Sequence, residues 1–310
     1  MATESPLHVV TGAFGYTGRY IARNLLSRGL RVRTLTNSIH RANPFGNAVE
    51  VHPIDFDDHE RLVESLRGAS ALYNTYWVRY DYRSGTRDFG YDLAVSNTRT
   101  LFDCARSAGV GRVVHVSVAN ASADSAWGYF QGKARLEADL RGSGLPYSIV
   151  RPTVIFGGPE NVLINNIAWL LRRLPVFGLF GRGDYRLTPV HVDDVAQICV
   201  DAALGDQNVT LDAVGPETFT YRQMIHEMTR AMGLRRLIVS LPESVTLLAG
   251  RAIGAVLKDI VITGHEISGL RDELMYTGTE PLGTKSFTDW LQTEAPTLGR
   301  RYTNDLTRRR

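Results

Sequence analysis

The stretch VVTGAFGYTGRYIARNL, residues 9–25, decides the fold. Its β-branched start reads as the end of a strand and its second half as a helix. Three glycines, Gly12, Gly15 and Gly18, stand at the joint with G-x-x-G-x-x-G spacing. Gly12 permits the tight turn, Gly15 lets the backbone approach a pyrophosphate, and Gly18 allows close packing of helix on strand. The helix mouth, at Tyr16 and Thr17, offers N–H groups and the positive end of a dipole to phosphates. A glycine motif alone is weak. Here a second strand-like run, RVRTLT at 31–36, follows the helix and supplies the context of a dinucleotide site.

The alternation continues through the first half. Strand-like runs are LHVV, RVRTLT, VEVHPI, ALYNTY, RVVHVS and YSIVRP, with helical patterns between them that end near glycines. Repeated strand–helix units mean parallel strands joined by crossovers. The expected fold is α/β: a doubly wound parallel-sheet Rossmann fold with a smaller, mostly helical C-terminal region that binds substrate. The expected dinucleotide domain covers 1–156, with a returning segment near 188–215. The cap is expected over 157–187 and 216–310.

Composition bounds the partners. With 310 residues and 44% hydrophobic content, the chain can bury a large core. A net charge of +3 gives no case for a nucleic-acid partner. No apolar run is long enough to span a membrane and no signal peptide is evident. Cys104 and Cys199 read as reduced, buried helical thiols, which suits a cytoplasmic setting. The basic tail RRYTNDLTRRR reads as a solvated, frayed end. No metal site is expected. The expected partner is a small-molecule substrate, with a homodimer left open.

The second strand ends in TNSIHR, with Asn37 and Ser38 where an NAD site usually carries a carboxylate. Nothing there repels a 2′-phosphate, and Arg33, His40 and Arg41 are near enough in sequence to bind one. The expected cofactor is NADP(H), with NAD(H) as the alternative. Arg33 and Arg41 read equally as ordinary surface arginines. Asp55, in IDFDD, could accept from the adenine amine or cap the helix that follows.

In WGYFQGKARLE, residues 127–137, Tyr129 and Lys133 share a helix face. A nearby cation favours a phenolate, so the pair makes a general acid/base. The chain has three lysines and 32 arginines, and one of the three stands here. A compact ammonium suits a phenol and ribose hydroxyls together, which a guanidinium fork does not. Ser117, closing the fifth strand, is the expected group to polarise a substrate oxygen. Ser122 and Asn120 are rivals, and Ser117 could instead bond backbone.

TGAFGYTG, Asp55, HVSVANAS, YFQGK, IVRPTVIFG and TPVHVDDVA occur in the order seen in the short-chain dehydrogenase/reductase superfamily. The chain most resembles its extended and atypical branches, the NAD(P)-dependent epimerase/dehydratase-like proteins. The resemblance implies that Tyr129 is the acid/base, Lys133 its partner and ribose ligand, and Ser117 the carbonyl-orienting hydroxyl. It places Gly12, Gly15 and Gly18 at the pyrophosphate and the segment after Arg151–Pro152 at the nicotinamide. Asn97 matches a recurrent asparagine, and Asp193 and Asp194 match a helix start. Ala119 and the short gap before Tyr129 depart from typical extended members. The implied function is hydride transfer at a carbonyl or alcohol centre, by an oxidoreductase or an epimerase/dehydratase. The alternative is a non-catalytic redox sensor or assembly factor. Trp127, Trp169, Phe177, Phe180, Tyr185 and His191 could line an apolar cleft or form core. Arg182 and Arg186 could grip an anion or sit in a solvated loop.

Overall fold

The structure is a computed structural model that describes residues 5–39, 43–78, 82–84 and 87–304. The chain forms two compact units, 1–152 with 192–213 and 153–191 with 214–310.

The first unit is built on seven parallel strands. They are β1 (Leu7–Thr11), β2 (Arg31–Thr36), β3 (Val49–Pro53), β4 (Ala69–Asn74), β5 (Val113–Val116), β6 (Tyr147–Pro152) and β7 (Val209–Ala213). Their order in the sheet is β7-β6-β5-β4-β1-β2-β3. β1 and β5 are buried along their whole length, as a sheet covered on both faces requires. Helices α1 (Tyr16–Ser27) and α6 (Val192–Leu204) pack together, tied by Asn24 to Gln197 at 2.8 Å and Arg28 to Asp201 at 2.7 Å. Helices α2 (His59–Leu66), α3 (Tyr91–Ser107) and α4 (Gly128–Gly142) form a second packed row. This is the doubly wound fold expected from the alternation. The strand order reverses between β1 and β4, so a crevice opens outside their carboxyl ends.

The glycine turn explains how α1 leaves β1. Gly12 has φ +67°, the left-handed region that glycine favours. A Cβ on Gly18 would lie 2.4 Å from the Gly12 carbonyl oxygen, so only glycine lets α1 pack this close.

Elsewhere the local chemistry refines the expectations. Cys104 and Cys199 are buried and unbonded to each other. Asp193 and Asp194 lie inside the first turn of α6, where their charge meets the helix dipole. Asp58, not Asp55, caps α2 by accepting from the Arg61 N–H at 3.0 Å.

The second unit carries α5 (Val162–Arg173), α7 (Tyr221–Ala231), α8 (Glu243–Leu257), α9 (Gly264–Arg271) and α10 (Phe287–Glu294). Parallel strands at Val176–Phe180 and Leu237–Leu241 pair beside them. Tyr185 stacks on both Phe180 and Tyr221, and Phe177 and His191 are buried too. These aromatic side chains are core. Arg186 is held by Glu273 at 2.6 Å, and Arg182 sits exposed beside Asp184 at 3.3 Å. The tail is not frayed as far as Asn304. Tyr302 donates to Asp259 at 2.7 Å, and the Thr303 carbonyl accepts from Asn166 at 2.9 Å.

Gly18→Ala is expected to destabilise the first unit by ~1–3 kcal/mol, the usual range for overpacking against a fixed neighbour. A shift in urea midpoint at constant slope checks it.

Candidate functional site

The carboxyl ends of β1, β4 and β5 lie side by side, and buried polar groups tie them together. The Thr11 hydroxyl donates to the Asn74 side-chain oxygen at 3.3 Å and accepts from the Thr75 and Tyr76 N–H groups at 2.8 and 3.1 Å. The Asn74 amide lies 3.1 Å from His115 Nδ1. Its oxygen already accepts two bonds, so its NH2 faces the imidazole and His115 Nδ1 accepts. Burial first, and the Lys133 charge second, hold His115 neutral. This lattice fixes the start of the loop after β4. Asn97 then reaches across from α3 and donates to the Tyr76 hydroxyl at 2.8 Å.

Next to it lies the glycine turn. No side chain caps α1 and its first turn carries no acid. Gly12, Gly15 and Gly18 bring bare backbone to the helix start, so the site fits a pyrophosphate. Asn37 is exposed just past β2, and Asp55 is exposed past β3 with its carboxylate accepting from the Asp57 N–H at 3.0 Å. Arg33 does not reach toward a phosphate. It pairs with Glu50 at 2.7 Å and donates to the Ser65 carbonyl at 3.0 Å. His40 and Arg41 lie outside the described residues.

Tyr129 and Lys133 stand one turn apart on α4 and meet around the indole of Trp77. The Tyr129 ring stands edge-on to Trp77, with centroids 5.8 Å apart, and edge-on to Tyr91 at 5.9 Å. Trp77 and Tyr91 stack almost parallel. The Lys133 ammonium lies 4.3 Å from the Trp77 ring centre and donates to the Val116 carbonyl at 2.8 Å. Gly132 makes room for the indole, since a Cβ there would fall 2.8 Å from it. Burial pushes the Lys133 pKa down to about 7, and the Glu137 carboxylate pushes back. An amine poised near neutrality is fit for proton exchange.

Ser117 takes a different partner from the expected one. It is buried, and its hydroxyl donates to Glu137 at 2.6 Å. Glu137 is itself buried and accepts from both Arg151 and Arg141. Burial opposes its ionisation. The Arg151 and Ser117 hydrogen bonds, the Arg151 charge and the Arg141 bond outweigh burial and hold the carboxyl below its ordinary range. Ser117 therefore belongs to the carboxylate that anchors α4. Ser122 is half-buried and accepts from the Asp124 N–H at 3.2 Å. Asn120 sits in the left-handed region at φ 52°.

Reading the sequence missed Trp77, Tyr91, Glu137 and the Thr11–Asn74–His115 lattice. One signal was present: Tyr129, Lys133, Glu137 and Arg141 repeat every four residues along one helix face. Nothing in the local sequence brings Trp77 onto α4, because Trp77 follows β4 and reaches α4 only once the chain has folded.

A family model described as NAD(P)H-binding matches residues 12–207. The 40 kDa subunit of mitochondrial NADH-ubiquinone oxidoreductase from Neurospora crassa is 30% identical over 246 residues, 76% of this chain and 63% of that subunit. The chain thus spans less than two thirds of that relative's length. Ceramide reductase from Caulobacter vibrioides is 26% identical over 262 residues, 82% of this chain and 80% of the relative. Among solved structures, a Citrobacter sp. triphenylmethane reductase complexed with NADP(H) superposes with a TM-score of 0.74 at 16% identity, covering 93% of this chain and 99% of the other. That likeness is one of fold.

Glu137→Gln leaves the Arg151 guanidinium without its counter-charge and is expected to cost roughly 3 kcal/mol at pH 7. The native carboxyl titrates below its unfolded value, so its contribution is complete above the ordinary pKa of 4.5 and fades as pH falls through the lowered folded value. Urea unfolding from pH 7 downward should show the gap between variant and wild type closing only in acid.

Proposed function

This chain belongs to the NAD(P)H-binding family, and from that premise we propose that it is an NADP(H)-dependent oxidoreductase acting on a carbonyl or alcohol centre of a small molecule. The observation that carries the reading is the Tyr129–Lys133 pair, with its ammonium buried at the end of β5. NAD(H) is the alternative cofactor. In this reading Gly12, Gly15 and Gly18, with the N–H groups at Tyr16 and Thr17, hold the pyrophosphate. Asn37 and Arg41 take the adenine ribose, Asp55 the adenine amine, and Lys133 the nicotinamide ribose hydroxyls.

The bound dinucleotide supplies the hydride, or takes it up. Tyr129 gives its hydroxyl proton to the substrate oxygen as the carbonyl carbon is reduced, which leaves an alcohol and a phenolate. The Lys133 ammonium stabilises that phenolate and, with a pKa of about 7, can return a proton to it. Val116 and Trp77 hold the ammonium in place. If the hydride returns to the same substrate, the outcome is epimerisation or dehydration. With Ser117 committed to Glu137, Ser122 is the serine assigned to orient the substrate oxygen.

A second reading is a protein that holds the dinucleotide without turning it over, as a sensor or a subunit of a larger assembly. Two observations favour it: the engagement of Ser117 by Glu137, and the likeness to a subunit of NADH-ubiquinone oxidoreductase.

Tyr129→Phe is expected to lower turnover by ~10²–10⁴-fold while NADPH affinity stays unchanged. Ceramides and quinones, after the names of the relatives, make the first substrate screen, with NADPH fluorescence reporting both binding and oxidation. An equally active Phe variant removes Tyr129 from the chemistry. A wild type that binds NADPH tightly and fails to oxidise it with any substrate of the screen favours the second reading. In the reductive direction kcat/KM should fall as pH rises through about 7, where Lys133 loses its proton.

A further inference from the structure

Helix α8 is apolar along most of its length, with Glu243 in its first turn and Arg251 near its middle. Its inner face is firmly seated. A Cβ on Gly250 would come within 2.7 Å of the Ile262 side chain, and one on Gly254 within 2.6 Å of the Asp259 carbonyl. Leu247 packs on the second unit's core. The opposite face shows Val245, Leu248, Ala249, Ala252 and Val256 to solvent, at the i, i+3, i+4, i+7 spacing of a burial stripe. Leu248 is 69% exposed and Val256 83%. On the strand pair that α8 packs against, the facing partners Val176 and Leu237 are exposed as well. Single exposed leucines are ordinary, but a whole helix face is a surface that something covers.

The charges around the stripe identify the cover. Arg251 is exposed on the flank of α8 and Lys258 just past its carboxyl end. The helix's one carboxylate, Glu243, is engaged by Arg271 at 3.1 Å. Asn304 donates to the Leu257 and Lys258 carbonyls at 3.1 and 3.2 Å. An apolar stripe with a cationic border is the pattern of a helix lying in a bilayer interface. A two-fold contact between copies fits less well, because Arg251, near the middle of α8, would face its own copy across the axis.

We propose that the outer face of α8 is a peripheral docking surface for a bilayer containing acidic phospholipid. Val245, Leu248, Ala252 and Val256 enter the boundary between headgroups and acyl chains. Arg251 and Lys258 meet the phosphates. No helix among the described residues is long and apolar enough to cross a membrane, so the contact is interfacial. The inference goes beyond the proposed reaction and does not depend on it.

The test is flotation of the full chain with vesicles of phosphatidylcholine alone and of phosphatidylcholine with phosphatidylglycerol. The chain is expected to float with the acidic vesicles and to be released by salt. Leu248→Glu and Val256→Glu should each weaken partitioning on the order of tenfold. Arg251→Glu should weaken it at least roughly fivefold. All three should keep the wild-type melting temperature and NADPH affinity, since they replace exposed side chains. Absence of binding to acidic vesicles, equal binding to neutral ones, or binding that survives Leu248→Glu with Val256→Glu would each overturn the proposal. So would a dimer in sedimentation velocity that Leu248→Glu dissociates, because the face would then belong to a second copy.

Discussion

The buried carboxylate of Glu137 holds the candidate site in register. It gathers Ser117 from the end of β5, Arg151 from β6 and Arg141 from its own helix. A charge this deep is tolerable only when its hydrogen-bonding capacity is met from several sides. Meeting it fixes how α4 lies along the sheet. The Tyr129–Lys133 pair rides on that helix, so the placement of both side chains depends on a group that need not touch a ligand.

Lys133 is the complementary case. Its ammonium is as buried as the Glu137 carboxylate but is held by fewer partners: one carbonyl, one aromatic face and the field of Glu137. The carboxylate therefore stays ionised, while the lysine is drawn toward neutrality. The two charges lie one turn apart on α4 with opposite fates. That difference makes one a fixed anchor and the other a proton-exchanging group.

The two units use apolar surface differently. The first closes its sheet with helices, joining α1 to α6 and lining α2, α3 and α4 in a row. The second seats α8 through glycines on its inner face and leaves a face of valine, leucine and alanine outside. Close glycine packing and an apolar outer stripe on one helix satisfy two contacts at once, one made within the chain and one made beyond it.

By itself the sequence determined the alternation of strands and helices, the glycine turn at Gly12–Gly18 and the four-residue spacing of Tyr129 and Lys133. These are local patterns, set by backbone freedom and helical period, and they persist wherever the chain folds. Only the tertiary structure decided what Ser117, Arg33 and Trp77 do. A hydroxyl or guanidinium takes the strongest partner within reach, and those partners, Glu137 for Ser117 and Glu50 for Arg33, come from other elements of the sheet unit. Phe177, Phe180, Tyr185 and His191, open between cleft and core in the sequence, became core for the same reason. Neighbours such as Phe156 beside His191 and Tyr221 beside Tyr185 arrive from distant segments, and the burial they offer outweighs any preference written in the local sequence.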